Sequence, residues 1–194
     1  ALQSNIESDI SPNEQTLLVF AGSLPKQVTK EQYKALIQNL ERDNIKIALD
    51  TDIFSEQDIK DLKPFIIKPN EVELSHLANV ENMDESFIVE YAKKLSQFAT
   101  HVLVSRGDKG LLYVGEGQLL QCDVPKVEVK STVGAGDTTL AGFIHALSQQ
   151  KDIAYCVQFA AACGTASVLL EGTGVITRES ADEMFERISV TLPC

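Results

Sequence analysis

Ser131-Thr132-Val133-Gly134-Ala135-Gly136-Asp137-Thr138 is the strongest signal in the sequence, a flexible small-residue loop that leads into the start of a helix. Glycine lets a backbone approach a ligand without a Cβ clash, and the first turn of a helix offers N–H donors with a partial positive charge. Such a turn suits a phosphate group, or the charge that develops when one is transferred. Asp137 can accept the proton of an attacking hydroxyl there, although an isolated motif also fits an Asp that only stabilises the helix dipole.

Short apolar segments alternate with helical patterns on both sides of that stretch. They predict buried strands at residues 17–21, 45–49, 65–67 and 101–105, and a hairpin of residues 111–114 with 119–124. Such alternation is typical of βαβ units on a mostly parallel sheet. We therefore expect an α/β fold, a three-layer α/β/α sandwich with one antiparallel piece, in which residues 1–194 form a single domain.

Several helices are predicted between and after these strands. Thr29 and Gln32 have the spacing of a capping box, and Asn70 caps a helix that ends at residue 77 or 78. Further helices are expected at residues 55–62, 84–98, 136–149, from 152 onward, and 179–188. The helix that begins at 152 carries alanines and Gly164, which allow very close packing.

Composition and sequence pattern argue against several function classes. The formal net charge of −11 disfavours sequence-independent binding to nucleic acid or to anionic membranes, since both need a positive surface. No apolar run approaches the ~20 residues that span a bilayer. The four cysteines form no C-x-x-C pair and are expected to be free thiols in a reducing cytoplasm, and the three histidines are too scattered to predict a zinc site. The chain lacks an initiator Met, so we expect a piece of a longer cytoplasmic protein.

Residues 131–137 resemble the signature of the ribokinase-like carbohydrate kinases, the PfkB family. Three further stretches resemble family motifs in the family's order: residues 20–25 (F-A-G-S-L-P), 68–74 (K-P-N-E-V-E-L) and 104–110 (V-S-R-G-D-K-G). Residues 172–174 (G-T-G) stand where members carry a late loop near the nucleotide. Ordered matches over nearly the whole chain favour the family over coincidence.

The resemblance implies a role for each matching residue. Asp137 is expected to be the general base and a substrate contact, and the N–H groups of Gly134, Ala135 and Gly136 to form the anion hole. Asn70 and Glu73 are expected to organise Mg²⁺ through its water shell, which suits hard oxygen ligands. Ser23 is expected to contact the substrate phosphate. The expected ATP-binding residues are Lys68, Asn70, Ser105, Arg106, Gly107, Asp108, Lys109, Gly110 and Gly172.

Plainer interpretations of these residues stay open. Asn70 also fits a simple helix cap, Glu73 a solvated helix charge, and Lys68 a surface lysine, while the glycines of residues 105–110 also fit a turn between strands. The chain departs from the family at Arg106, where many relatives have Leu, and at Gln27 and Thr138, where Gly and Ser are usual. The family's N-terminal part, with its G-G-K-G-x-N motif and its β lid, is not visible. Most sugar contacts and a homodimer contact through the lid are therefore expected outside this chain.

The resemblance implies phosphoryl transfer from MgATP to a small-molecule sugar phosphate. Fructose 1-phosphate, converted to fructose 1,6-bisphosphate, is the expected substrate, and tagatose 6-phosphate is the alternative. A hypothesis from another class is a nucleotide-binding fragment that catalyses nothing, because the sugar-binding part is absent. A purely structural α/β protein would require all the motif matches to be coincidental.

Overall fold

The computed structural model describes residues 2–11 and 14–192, and the chain divides after Val102 into two compact units. Parallel strands of the first unit follow one another in chain order: β1 (Thr16–Ala21), β2 (Ile45–Asp50), β3 (Ile66–Ile67) and the start of β4 (His101–Ser105). The apolar side chains of β2, β3 and the start of β4 are buried, as predicted. The prediction of a buried strand at residues 17–21 is wrong in part, because β1 lies at the end of the strand order, buries only Phe20 and leaves Val19 48% exposed.

The register of these strands brings loop residues of the first unit to one sheet edge. Ala21 lies opposite Asp50, and Leu49 lies opposite Ile67. Because the carboxyl ends of parallel strands meet at the same edge, the segments that follow Ala21, Asp50 and Ile67 emerge side by side. In open α/β sheets this edge is where ligands bind.

Helices of the first unit begin at polar caps. The capped helices are α2 (Lys30–Leu40), α3 (Glu56–Leu62), α4 (Glu71–Ala78) and α5 (Glu85–Leu95), and α1 (Leu2–Asp9) precedes them. The predicted capping box of Thr29 with Gln32 is confirmed, and so is the cap at Asn70. Ser55 forms a similar box with Asp58 at the start of α3. Each box satisfies two amides that the helix itself leaves without acceptors.

The second unit contains an antiparallel sheet and longer helices. β5 (Leu111–Gly115) and β6 (Gln118–Asp123) form the predicted hairpin, with Leu111 opposite Cys122, and β7 (Ser189–Thr191) pairs with β6. The helices are α6 (Ala135–Ser148), α7 (Ile153–Ser167) and α8 (Arg178–Phe185).

Small residues bring α6 and α7 into very close contact, as the sequence predicted. A Cβ added to Gly164 would lie 2.2 Å from Thr139 Oγ1, and one added to Gly142 would lie 2.8 Å from Cys163 Sγ. No ordinary Cβ contact is that short, so the glycines set the distance between the helices. This packing fixes the start of α6, which carries Asp137.

The α/β fold with a mostly parallel arrangement of strands is confirmed, with differences at several element ends. α5 ends at Leu95 and α8 at Phe185, each a few residues earlier than predicted, because cap residues Ser96 and Glu186 close the helices. α1 and β7 were not predicted, since α1 is largely polar and β7 has three residues that are mostly exposed. That the chain is a single domain stays a prediction.

Cys122, Cys156 and Cys163 are free and buried, as expected, while Cys194 lies outside the described residues. Burial raises the pKa of Cys122 to about 12 and the pKa of both Cys156 and Cys163 to about 11. These thiols therefore stay protonated and unreactive at neutral pH. Within residues 2–11 and 14–192, no helix combines the length and apolar character that crossing a membrane requires.

Candidate functional site

The start of α6 is built from backbone groups. Gly134 is the N-cap, with φ +77° and ψ 1°, a left-handed conformation that glycine adopts without strain. Thr138 N donates to Gly134 O at 2.9 Å, which is the first hydrogen bond of the helix, and Thr138 Oγ1 donates to the same oxygen at 2.8 Å. The amides of Gly136 and Asp137 precede that bond, so the helix supplies no acceptor for them.

The amide of Ala135 differs from its neighbours. It donates to Thr132 O at 3.3 Å and thereby closes the turn before the helix. The sequence predicted an anion hole formed by the amides of Gly134, Ala135 and Gly136. In the structure, the Ala135 amide already has a weak acceptor within the loop. The Gly136 amide is the better placed of the two to meet an anion.

Asp137 lies exposed in the first turn of α6 and lines a cavity of about 620 Å³. Val133, Phe159 and Val175 supply apolar walls to this cavity. The late loop also reaches it, because Thr173 and Gly174 are among its lining residues. The structure therefore brings the predicted base together with the loop that carries Gly172, itself exposed with φ +63°.

Residues 105–110 form a tight turn between β4 and β5. Gly107, Asp108 and Lys109 make a single 3₁₀ turn and are exposed. Arg106 N donates to Gly110 O at 2.9 Å, and Gly110 N donates to Gly107 O at 3.0 Å.

Gly110 has no room for a side chain. Its φ of +83° is unfavourable for other residues, and an added Cβ would lie 1.9 Å from Cys122 O. The turn that was expected to hold nucleotide is therefore fixed against the neighbouring strand β6.

Asn70 and Glu73 form a reciprocal pair at the start of α4, in the first unit. Asn70 Oδ1 accepts from Glu73 N at 2.9 Å, and Glu73 Oε2 accepts from Asn70 N at 2.9 Å. The capping role of Asn70 is thus present. It uses one carboxylate oxygen of Glu73 and leaves Oε1 outside the cap, so capping does not exclude a metal-bound water at Glu73.

Lys68 is buried, with 4% of its side chain exposed, and its Nζ lies 3.0 Å from Asp50 Oδ1. The alternative that Lys68 is an ordinary surface lysine is therefore wrong. Lys68 and Glu73 both line a cavity of about 250 Å³ in the first unit, to which Asp52 and His76 also contribute. The sequence prediction missed Asp50, although its position at the carboxyl end of β2 was a usable signal.

Ser23 is exposed in the turn after β1. Gly22, with φ +80°, donates its amide to Asp50 O at 3.0 Å, and its carbonyl accepts from Thr51 Oγ1 at 2.7 Å. The turn before Ser23 is therefore held against the end of β2, beside the Asp50–Lys68 pair.

The donor groups of the first unit fit Mg²⁺ held through water. Among the described residues, no three His, Cys, Asp or Glu side chains gather as direct metal ligands. Mg²⁺ usually keeps several waters and uses one or two carboxylates together with substrate phosphates. Glu73 and Asp52 line the same cavity and supply carboxylate oxygens of that kind.

The profile of the pfkB family carbohydrate kinases matches residues 3–179. The chain belongs to this pfkB family. It is 30% identical to 1-phosphofructokinase of Bacillus subtilis over 96% of its own length and 61% of that protein. It is 29% identical to tagatose-6-phosphate kinase of Staphylococcus epidermidis, over 91% of the chain and 58% of that protein.

A solved structure extends the pfkB comparison to the fold. Phosphofructokinase-2 from Escherichia coli, in complex with substrates and products, superposes with a TM-score of 0.86 at 26% identity and covers 95% of this chain. The chain covers 60% of that structure. It therefore spans about three fifths of the length of the pfkB relatives that it matches.

Proposed function

We propose that the whole protein transfers a phosphoryl group from ATP to a hydroxyl of a sugar phosphate. The observation that carries the proposal is Asp137, which lies in the first turn of α6, behind a left-handed glycine cap and at a cavity wall, in a member of the pfkB family. The Asp137 carboxylate provides a proton acceptor, and the helix amides beside it can stabilise negative charge.

Asp137 and the helix amides divide the chemistry between them. The sugar hydroxyl oxygen forms a bond to the terminal phosphorus of ATP while the bond from that phosphorus to the ADP oxygen breaks. The hydroxyl proton goes to the Asp137 carboxylate. The Gly136 amide, with the dipole of α6, stabilises the charge on the transferring group, so catalysis depends on positioning and electrostatics.

Residues 105–110 and the start of α4 complete the proposed set. The turn with Ser105, Gly107 and Gly110 binds the nucleotide, and Glu73 with Asn70 holds the waters of Mg²⁺. Bound Mg²⁺ neutralises phosphate charge and orients the phosphates. Lys68 already forms an ion pair with Asp50, so in the proposed site its positive charge is divided between the Asp50 carboxylate and the phosphates.

Fructose 1-phosphate is the sugar that we propose first. The support is the 30% identity to a 1-phosphofructokinase, together with the ending Gly174-Val175-Ile176-Thr177 followed by a helix. Tagatose 6-phosphate is the second candidate, because a tagatose-6-phosphate kinase is almost equally similar. A cytoplasmic location, and a homodimer through a lid outside this chain, are proposals for the whole protein.

A second function has its own support. The chain spans about three fifths of its relatives' length, which fits a nucleotide-binding fragment that has too few sugar contacts to turn over. Both functions share the nucleotide site. They differ in whether ADP release depends on sugar.

A coupled ADP-release assay tests both functions. We would supply MgATP with fructose 1-phosphate, with tagatose 6-phosphate, or with no sugar, and assay the 194-residue chain beside the full-length protein. Sugar-dependent release by the full-length protein is expected, and its absence with both sugars would contradict the kinase proposal. If neither sugar increases ADP release by the chain, but nucleotide raises its Tm, the chain is a binding fragment.

A further inference from the structure

The side chain of Gln121 joins the two ends of the turn at residues 105–110. At the start of the turn, Arg106 Nη1 donates to Gln121 Oε1 at 3.2 Å. At its end, Gln121 Nε2 donates to Lys109 O at 2.7 Å, and the same nitrogen lies 3.2 Å from Cys122 O and 3.4 Å from Asp123 Oδ1. One amide group thus contacts both the first and the last part of the turn.

Both partners are buried. Arg106 is 6% exposed and Gln121 is 9% exposed, whereas Gly107, Asp108 and Lys109 face solvent. A guanidinium and an amide cost free energy when they are removed from water, unless their donors and acceptors are satisfied. Their burial under an exposed turn indicates that the pair fixes the shape of the turn from beneath.

The amide of Gln121 has a single useful orientation. Its oxygen must face the guanidinium, which only donates, and its nitrogen must face the Lys109 carbonyl, which only accepts. A rotated amide would place donor against donor and acceptor against acceptor. Strand β6 holds this residue in register, opposite Leu112 of β5, so the amide cannot move away without disturbing the hairpin.

We propose that the Arg106–Gln121 pair is a positioning device, which sets the turn at residues 105–110 in its nucleotide-binding shape and thereby determines the affinity for ATP. The proposal rests on the nucleotide-binding role proposed above for that turn. Neither side chain needs to touch the nucleotide. The buried Arg106 guanidinium is held by Gln121 beneath the exposed turn, as this role requires.

The test compares single substitutions that remove the pair from either side. Arg106→Met and Gln121→Met keep approximate volume but remove the hydrogen bonds. The control is Gln158→Leu, which removes another side-chain amide of the second unit, whose Nε2 donates to Phe185 O and Ile188 O at 3.0 Å each. Each protein is assayed for the KM of ATP and for kcat, and by the Tm shift that a fixed ATP concentration produces.

Both Met variants are expected to raise the KM of ATP by about tenfold, the factor that corresponds to one lost hydrogen bond, with kcat changed much less. Their ATP-induced Tm shift should shrink accordingly. Gln158→Leu should lower Tm without ATP and leave the KM of ATP unchanged. Arg106→Lys retains the charge without the planar fork and gives an intermediate effect, which keeps the comparison possible if a Met variant fails to fold.

A KM of ATP within twofold of the unsubstituted protein, in variants whose Tm has fallen, would overturn the proposal and make the pair purely structural. An unsubstituted protein that shows neither turnover nor an ATP-induced Tm shift would instead contradict the proposed function itself. The two failures are therefore distinguishable, since only the second appears before any substitution is made.

Discussion

The two units of the chain hold their candidate residues by different means. In the first unit, polar side chains fix one another, as in the Asn70–Glu73 capping box and the Lys68–Asp50 ion pair. In the second unit, glycines at positions 134 and 110 shape the backbone and leave no room for a side chain at Gly110, and the Arg106–Gln121 pair supports the turn after β4. The first unit should therefore be sensitive mainly to the loss of a polar group, whereas the second should also be sensitive to the addition of a methyl group.

Asp137→Asn is the change with the largest expected effect. It removes the proposed base and leaves the glycine cap of α6 unchanged. Removing a positioned base typically lowers turnover by about 10²–10⁴-fold, so we expect a loss of that order in the full-length protein. ATP binding, measured as a Tm shift, should remain.

Asp152→Asn is the matched control, since Asp152 caps α7 and Asn caps equally well. It should leave turnover unchanged. Turnover of Asp137→Asn near that of the control would remove Asp137 from the role of base.

Gly110→Ala tests how far the second unit depends on missing side chains. The added Cβ would lie 1.9 Å from a backbone oxygen, Cys122 O, which cannot move without disturbing strand β6. We expect the free energy of unfolding to fall by about 4 kcal/mol or more, measured by urea denaturation.

Gly117→Ala separates the clash from the backbone strain. Gly117 has a similar φ of +74°, but no described atom lies within 4 Å of the Cβ that would be added. This control should lose only about 1 kcal/mol, the cost of a left-handed alanine. Equal losses in the two variants would show that strain alone, without the close approach to β6, makes Gly110 necessary.

Sequence reasoning succeeded where the local pattern decides the structure. The capping box at Thr29 and the helix cap at Asn70 could be predicted because a cap and its partner lie three residues apart and need no tertiary contact, although the return bond from Asn70 N to Glu73 was not predicted. The turn and hairpin after Ser105 followed from glycine spacing and alternation. The fold class followed from strands and helices that alternate along nearly the whole chain.

It did not reveal contacts between distant positions. The burial of Lys68 depends on Asp50, which is 18 residues away on another strand, and the partner of Arg106 lies on β6. Such pairs are brought together only by sheet register, and no local pattern encodes them. For the same reason the hydrogen bond between Arg106 and Gln121 was not predicted, and the nucleotide-binding role expected of Arg106 stays a prediction.

Glu73→Gln tests the polar contacts of the first unit, because it removes the negative charge of residue 73 but keeps an oxygen that can accept from Asn70 N. The amide oxygen of Gln can still accept from Asn70 N, so α4 should keep its start. Loss of the carboxylate should raise the Mg²⁺ concentration needed for half-maximal activity by roughly tenfold.

Glu71→Gln, two positions earlier in the same helix, is the control for the changed helix charge. It should have little effect on the Mg²⁺ requirement. If Glu73→Gln shows the same Mg²⁺ dependence as the unsubstituted protein, Glu73 is a helix cap and nothing more.

Substitution of Glu56 has the smallest expected effect, and it shows how an ion-paired carboxylate of the first unit responds to pH. Hydrogen bonds from Lys60, then Lys94 and Tyr91, lower the pKa of its carboxyl from 4.5 to about 2. A carboxyl with a lowered pKa stabilises the fold above its unfolded pKa, and this contribution disappears as pH falls from about 4.5 to about 2.

Glu56→Gln should therefore cost about 1 kcal/mol at pH 7, because its two lysine partners are partly exposed, and almost nothing near pH 2. Urea unfolding of both proteins across that pH range measures the difference. A cost that stays constant with pH would mean that the charge of Glu56 is unimportant and that its remaining contacts stabilise the fold. A cost that vanishes in acid would show that the charge of Glu56 itself stabilises the first unit through its ion pairs with Lys60 and Lys94.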